Sequence, residues 1–230
     1  MNHGITFVTL TKTHIMRQFL LIASLLLSFT TYSQVINING MPTVLTTTED
    51  VPEDLKKIQY KKYASKDYKP CYVDDIKERA FIRYNIFDDQ MEFVKDGNIY
   101  YLVKDVGRIV KFADNTTYKV FNLNGDKSFF LVHLEGKNSF IAKQGVRFVD
   151  AKKAESTYGS DKPADYKPKK NVLYFVFNNK ELVRVPSKKK DFYTVFGSHS
   201  SLVKNYMKKN KLGNKKVNEL KKILEYYNTL

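Results

Sequence analysis

Turn-forming residues divide the chain between residues 80 and 150 into short segments of only four to eight residues. Asp96-Gly97 and Asn124-Gly125 favour the tight turns of β-hairpins, because both central positions of such a turn need a positive φ. The intervening segments are rich in Val, Ile, Phe and Tyr and are too short for stable helices. We therefore predict a mainly β domain with strands at 80–87, 91–94, 99–103, 108–112, 117–121, 128–134, 140–143 and 146–149.

A second β region follows a polar segment. Residues 151–169 contain two prolines, one glycine and mixed charges, and are predicted to form a polar loop. Residues 172–177 are apolar at every position, as in a strand that is buried on both faces. Asn178-Asn179 then turns the chain into a strand over 181–185. The pattern indicates an antiparallel meander, and its spacing leaves open whether the meander is a curved sheet or is barrel-like.

The periodicity becomes helical after Pro186. Ser187 is predicted to be an N-cap, and the apolar positions that follow recur at helical spacing. The clearest stripe consists of Val217, Leu220, Ile223, Leu224 and Tyr227. Because short one-sided helices are not stable alone, we expect a tail of two or three short helices packed on the sheet. The predicted fold class is thus mainly β within α+β.

Residues 1–33 are predicted to be a cleavable export signal. Arg17 precedes an apolar run over 19–29, and small polar residues lead to an expected cut after Ser33. The run is shorter than the ~20 apolar residues that span a bilayer. Since a normal signal would begin at Met16, residues 1–15 are expected to be an over-long start. We expect an exported protein, and the choice between periplasm, outer-membrane association and secretion stays open.

Removal of the signal leaves one domain with a poorly patterned beginning. Residues 34–69 are rich in Thr, Lys and Tyr and are expected to be loosely ordered, whereas 70–230 should form a single β domain with its helical tail. Within 34–69 the pattern fits a short strand at 35–40 and a helix that opens at 52–58, with Pro52 in its first turn. Cys71 is the only cysteine, so it cannot form an internal disulfide in an oxidising compartment. We predict that it is buried as a small apolar side chain.

The chain is basic, with a formal net charge of +15, and much of this charge lies at its end. Residues 187–230 contain eleven lysines and three acidic residues. Such clusters attract the phosphates of nucleic acids or of membranes, and export argues against nucleic acid. The expected contacts with an anionic lipid or glycan are Lys215, Lys216, Lys221 and Lys222. The alternative is a lysine face that is only solvated.

Catalytic and metal-binding patterns are weak in this sequence. His133 lies in an apolar strand and His199 lies between two serines, without the turn that carries a nucleophile or an obvious acidic partner. Asp74-Asp75 and Asp88-Asp89 are interpreted as turn residues. We therefore predict no catalytic residue, no cofactor and no metal ligand.

Two short blocks of sequence resemble a known family. They are the segment RYNIFDDQMEF at 83–93 with the Lys-Asp-Gly turn after it, and the helical tail with KKNKL at 208–212 and LEYYN at 224–228. Together they resemble a family of uncharacterised exported proteins of Bacteroidetes, over roughly residues 70–230. The resemblance implies an envelope location and the domain limits given above, and it implies no activity.

The sequence leaves three functions open. A non-enzymatic binding or interaction module of the cell envelope, with an envelope protein, an anionic lipid or a glycan as its partner, fits best, because no catalytic constellation emerges. The alternative is a carrier of a lipid or other apolar ligand, which needs an enclosed apolar cavity of roughly several hundred Å³. An unrecognised envelope enzyme is the further alternative, and it needs titratable groups that converge in a cleft.

The export signal makes a direct prediction. When the full chain is expressed in a Gram-negative host, the mature protein should begin at Gln34 or within two residues of it, as N-terminal sequencing will show. A mature chain that begins at Met1, or that stays anchored through residues 19–29, would contradict the signal.

Overall fold

The computed structural model describes residues 35–46, 51–154 and 159–230, without the side chain of Asp54. Residues 35–230 form one compact unit. The predicted signal and its cleavage site lie outside the described residues, so the signal stays a prediction. Within the described part of the chain, no helix is long and apolar enough to cross a membrane.

Twelve antiparallel strands form one large curved sheet, which is not closed into a barrel. The predicted mainly β class is thereby confirmed. The spatial order is β1-β2-β6-β5-β4-β3-β7-β8-β9-β10-β13-β14, so β1 and β14 are the two edges. The strands are β1 (Val35–Ile38), β2 (Met41–Leu45), β3 (Lys69–Val73), β4 (Ala80–Asn85), β5 (Gln90–Lys95), β6 (Asn98–Leu102), β7 (Ile109–Phe112), β8 (Thr117–Leu123), β9 (Asp126–Leu134), β10 (Ser139–Lys143), β13 (Val172–Phe177) and β14 (Glu181–Arg184).

The turn residues act as their chemistry predicts. Asp96 and Gly97 join β5 to β6 with φ values of 50° and 77°. Asn124 and Gly125 join β8 to β9 in the same way, with φ values of 55° and 99°. Two positive φ angles match the right-handed twist of the flanking strands. These short turns fix the register of each hairpin, and hence which side chains face the core.

Apolar side chains from the first nine strands form one core cluster. Ile82, Met91 and Val110 are fully buried there, and the rings of Tyr84, Tyr118 and Phe129 pack against one another. Cys71 belongs to the same cluster and is 1% exposed, which confirms its predicted burial. Burial raises the pKa of its thiol to about 12, so the group stays uncharged at neutral pH.

Three helices cover the other end of the sheet, as predicted for the tail. Phe175 and Phe177 of β13 face them, whereas Val176 packs on the opposite face with Phe130 and Ile141. Residues 172–177 are therefore buried on both faces, as their composition indicates. The tail helices are α2 (Lys189–Thr194), α3 (Ser200–Lys209) and α4 (Val217–Tyr227). Helix α1 (Glu53–Lys56) lies far from this tail in sequence.

Parts of three local expectations need correction. Strand 146–149 does not join the main sheet: it is β11 (Val146–Val149), which pairs with β12 (Asp165–Pro168) in a separate hairpin. Four residues of the expected loop 151–169 thus form a strand, because backbone pairing does not require apolar side chains. Ser187 is not the N-cap of α2, which begins after Lys188 without a side-chain cap.

The segment expected to be loosely ordered also contains regular structure. Residues 35–45 form the hairpin of β1 and β2, and β2 pairs with β6. Helix α1 and a 3-10 turn at Gln59–Lys62 follow. The predicted short strand and helix of this segment correspond to β1 and α1. Strand β2 was not predicted, because it gains its second partner, β6, from a distant part of the chain.

The apolar stripe of helix α4 should contribute most to holding the helix on the sheet. Leu224 is fully buried, so Leu224→Ala should lower the free energy of unfolding by about 2–5 kcal/mol. Lys222→Gln on the exposed side of the same helix should change it by less than about 0.5 kcal/mol. Urea denaturation of both variants measures the difference, and equal losses would show that the helix does not pack as described.

Candidate functional site

The hairpin of β4 and β5 presents different chemistry on its two faces. Alternation along a strand places Ile82 and Tyr84 on the core face and Arg83 and Asn85 on the outer face. Arg83 is directly opposite Glu92 of β5 in the antiparallel register. Such a cross-strand pair brings the two side chains together on one face of the sheet. The outer face therefore carries the polar residues of the 83–93 segment.

The carboxylate of Glu92 lies at the bottom of a polar cleft on this outer face. Glu92 is 3% exposed, and its Oε2 accepts a hydrogen bond from Arg83 Nη2 at 2.9 Å. Its Oε1 accepts one from Asn85 Nδ2, also at 2.9 Å. Asn85 is itself buried, and it additionally donates to Asp88 Oδ2 at 2.7 Å and accepts from the Asp88 amide. The buried charge is thus neutralised and its oxygens are hydrogen-bonded, as a buried carboxylate requires.

Two tyrosine rings hold the guanidinium of Arg83 in position. Its Cζ atom lies 3.6 Å from the ring centre of Tyr63 and 4.5 Å from that of Tyr68. A planar guanidinium can stack on aromatic rings while it donates to a carboxylate. Burial raises the pKa of Tyr63, and the adjacent charge of Glu92 raises it further. The Tyr63 hydroxyl therefore remains protonated at neutral pH.

The walls of the cleft come from distant parts of the chain. On one side lie α1 and the 3-10 turn, held to β4 by hydrogen bonds from the amides of Ile86 and Phe87 to the carbonyl of Lys62. On another side lies Tyr166 of β12, whose ring packs edge-on against Phe87. The cleft has a volume of about 620 Å³ and opens to solvent. Its lining includes Gln59, Lys62, Tyr63, Arg83, Asp88, Gln90, Glu92, Tyr101 and Tyr166.

The inner face of the same hairpin carries a second charge cluster around Asp89. Tyr84 donates its hydroxyl proton to Asp89 Oδ1 at 2.7 Å, and Lys104 donates to Oδ2 at 3.0 Å. Lys143 of β10 forms an ion pair with the same carboxylate. Burial by itself disfavours the charged carboxylate, but the two lysines and the tyrosine outweigh it and hold the pKa of Asp89 below its ordinary value. This cluster links the hairpin to β10 and is structural.

The other paired aspartates also take structural positions. Asp74 lies in a turn with a φ of 49°, accepts a hydrogen bond from the Ile109 amide at 2.7 Å and pairs with Arg108. Asp89 has a φ of 55° in the turn between β4 and β5. The interpretation of both aspartate pairs as turn residues is consistent with this geometry. That interpretation missed the hydrogen bonds that Asp88 and Asp89 make beyond the turn.

His133 and His199, the two histidines among the described residues, lie near the helices. His133 packs against the ring of Phe140, and burial together with the positive charge of Lys221 lowers its pKa. His199 Nδ1 lies 3.4 Å from Ser198 Oγ, and its ring packs edge-on against Tyr227. A pocket of about 610 Å³ opens beside His199, lined in part by Asn138, Asn178 and Asn228. These asparagines hydrogen-bond to one another or to neighbouring backbone, so they tie the end of the chain to the sheet.

The four lysines predicted to contact an anionic surface differ in their exposure. Lys215 and Lys216 are exposed in the segment before α4, and Lys222 is exposed on α4. Lys221 is half-buried, and its Nζ lies 3.9 Å from a carboxylate oxygen of Glu225. Sequence spacing treated the four as equivalent, because their burial depends on tertiary packing.

The cleft residues were not predicted as a site from the sequence. Arg83, Asn85 and Glu92 occur within the 83–93 segment that carries the family resemblance. The available signal was that Arg83 and Asn85 are two residues apart in one predicted strand and that Glu92 lies in the next, so that all three could share one face of the sheet. Tyr63, Gln59 and Tyr166 carried no such signal, because they reach the cleft from elements that are remote in sequence.

The ion pair at the base of the cleft predicts a non-additive pair of substitutions. Arg83→Met leaves Glu92 buried without its cation and should lower the free energy of unfolding by about 3–5 kcal/mol. Arg83→Met combined with Glu92→Leu removes both charges and should be more stable than Arg83→Met alone. Denaturant unfolding of the single and double variants measures this coupling.

Arg79→Met is the matched control, since Arg79 is exposed just before the same strand. It should change the free energy of unfolding by less than about 0.5 kcal/mol. If the losses of Arg83→Met and Glu92→Leu simply add, Arg83 acts through its stacking on the tyrosines and not through charge compensation.

Among the described residues, no three His, Cys, Asp or Glu side chains converge in a geometry that would hold a metal ion. Comparison of the chain with protein-family models, with curated proteins and with solved structures finds no match. The cleft on the outer face of the β4–β5 hairpin is thus a candidate site on its own geometry.

Proposed function

We propose that this chain is a non-enzymatic binding module of an exported cell-envelope protein, and that its ligand binds in the cleft over Glu92. The observation that supports this proposal most strongly is the network of Arg83, Asn85 and Glu92, in which the three side chains hold one another in place through hydrogen bonds. A rigid polar base lowers the entropic cost of binding, because its side chains are already ordered.

The charges of the cleft favour an uncharged polar ligand. Arg83 is paired with Glu92, and the Nζ of Lys62 lies 3.7 Å from a carboxylate oxygen of Asp88. The rest of the lining includes the amides of Gln59 and Gln90, the apolar side chains of Val51, Pro52, Leu55 and Ile99, and the edges of the lining tyrosines. Amides bind hydroxyl groups, and tyrosine rings offer flat apolar faces with a polar edge. An oligosaccharide has both features, so an envelope glycan fits this surface.

The same pairing disfavours catalysis in the cleft. A general base has to accept a proton from the substrate within hydrogen-bond reach. The oxygens of Glu92 already accept hydrogen bonds from Arg83 and Asn85, and burial keeps Tyr63 protonated. The arrangement therefore stabilises a fixed surface and does not prepare a nucleophile or a base.

A carrier of apolar ligands is less well supported by the packing under the helices. The rings of Phe175, Phe192 and Phe196 contact one another, with centroid separations from 5.4 to 6.1 Å. They fill the space between β13 and α2. The pocket beside the helices is open to solvent and carries Asn138, Asn178 and Glu181 among its lining residues. An acyl chain needs an apolar and enclosed site.

The proposed binding site predicts the effect of removing its amides. Immobilised residues 34–230 should retain soluble oligosaccharides that are released from Gram-negative envelope glycans, as measured by mass spectrometry of the eluate. Gln59→Ala combined with Gln90→Ala should reduce the retained amount about tenfold or more, because two hydrogen-bonding side chains are lost. The control, Asn205→Ala combined with Asn218→Ala, removes two exposed amides elsewhere and should retain as much as the wild type.

Equal retention by the two double variants would place the ligand outside the cleft. If the wild type retains no oligosaccharide, the ligand is not a glycan. Organic extraction of the same purified protein tests the alternative, since one bound acyl lipid per chain would favour the carrier.

A further inference from the structure

The tertiary structure brings two lysine runs of the tail together. Asn214 is 5% exposed, and its Nδ2 donates to the carbonyl oxygens of Pro186 at 3.1 Å and of Ser187 at 3.0 Å. On one side of this contact, Lys189 and Lys190 follow Ser187 closely in sequence. On the other side, Lys215 and Lys216 come directly after Asn214. Two segments that are more than twenty residues apart in sequence therefore present their charges side by side.

The end of α3 adds further charge to the same place. The chain turns sharply at Lys211, whose φ is 53°, and the amide of Leu212 donates to the carbonyl of Met207 at 2.9 Å. This turn leads directly into Asn214. We call the exposed residues gathered here the lysine surface, and they are Lys189, Lys190, Lys209, Lys211, Lys215 and Lys216.

Most of this charge is not neutralised within the described part of the chain. Lys216 lies 3.4 Å from Glu219 Oε1, but its own side chain is 80% exposed. Glu219 Oε2 is engaged by the Gly213 amide at 2.9 Å. The other five members of the lysine surface have no carboxylate within ion-pair distance among the described residues. The buried side chains of Phe192, Val203 and Leu220 fill the space beneath, so the ammonium groups remain in solvent.

The residue types favour a membrane over a discrete anion. Residues 187–230 contain no arginine, although arginine is the side chain that recognises single phosphates and carboxylates through paired hydrogen bonds. Lysines act as point charges that are attracted to a charged surface with little geometric demand. Leu202, which is 47% exposed, lies two helical turns before Lys209 and thus on the same side of α3. An exposed leucine on the same side of a helix as an exposed lysine fits a surface that lies in a lipid interface.

We propose that the lysine surface docks this chain onto the phosphate-bearing face of an anionic lipid bilayer. The inference does not rest on the glycan cleft, which lies at the β4–β5 hairpin and shares no residue with the lysine surface. The helical end would hold the domain at the bilayer, while its contact is electrostatic and reversible.

Vesicle co-sedimentation tests the docking surface. The compact unit of residues 34–230 is mixed with vesicles of phosphatidylglycerol and phosphatidylcholine, and with phosphatidylcholine vesicles alone. The wild type should bind only the anionic vesicles and should be released at about 0.5 M salt, where screening is strong. Combined Gln substitution of Lys189, Lys190, Lys211 and Lys215 should reduce binding about tenfold or more.

A charge-matched variant separates this surface from net charge. Gln substitution of the exposed Lys57, Lys77, Lys95 and Lys180 removes the same charge elsewhere and should change binding by less than about twofold. Unfolding midpoints equal to that of the wild type show that both variants are folded. Equal losses in the two variants would reduce the effect to overall charge and overturn the proposal, as would a wild type that does not bind.

Leu202→Ser distinguishes a bilayer from a soluble polyanion. It should weaken binding to the anionic vesicles and leave binding to long-chain polyphosphate unchanged, because only the bilayer offers an apolar layer. If the wild type prefers polyphosphate to vesicles of equal phosphate content, the surface recognises a soluble polymer and the membrane proposal is wrong.

Discussion

The outer face of this sheet depends on one buried carboxylate. Glu92 is nearly inaccessible to water, so the fold has to supply a cation and hydrogen-bond donors at its position. The register of β4 and β5 places Arg83 opposite it, and alternation along β4 places Asn85 beside it. The guanidinium then requires its own support, which Tyr63 and Tyr68 provide. The segment before β3 is thereby held to the sheet, and the cleft exists because it is held there.

A different constraint organises the opposite end of the molecule. Strand β13 carries aromatic side chains on both of its faces. Both faces of the sheet therefore have to be covered at this strand. The three short tail helices supply one cover through Phe192, Phe196, Leu220 and Leu224. Because these helices contribute their apolar sides to the sheet, most of their lysines remain in solvent, whereas Lys221 is half-buried. The basic character of the tail is in this sense a consequence of how its helices pack, and the proposed membrane contact uses a surface that the fold has already exposed.

Most features that depend on residues close together in sequence were predicted correctly, and most features that depend on distant residues were not. The Asp96-Gly97 turn and the apolar stripe of α4 were predictable, because turn dihedrals and helical periodicity are set within a few residues. The hairpin of β11 and β12 was not, since Asp165–Pro168 is polar and its strand structure depends on backbone pairing with residues 146–149. The second strand of the first hairpin was missed for a similar reason, as β2 is completed by β6, more than fifty residues later.

The sequence by itself determined the mainly β class, the two-faced burial of residues 172–177 and the burial of Cys71. Each of these follows from local composition and period, which act on neighbouring residues. Only the tertiary structure decided that the main sheet stays open, that Tyr63 and Tyr166 line one cleft with Glu92, and that Asn214 joins two runs of lysines. Those features arise from contacts between residues far apart in the chain, where side-chain pairing and burial, and not local propensity, fix what lies next to what.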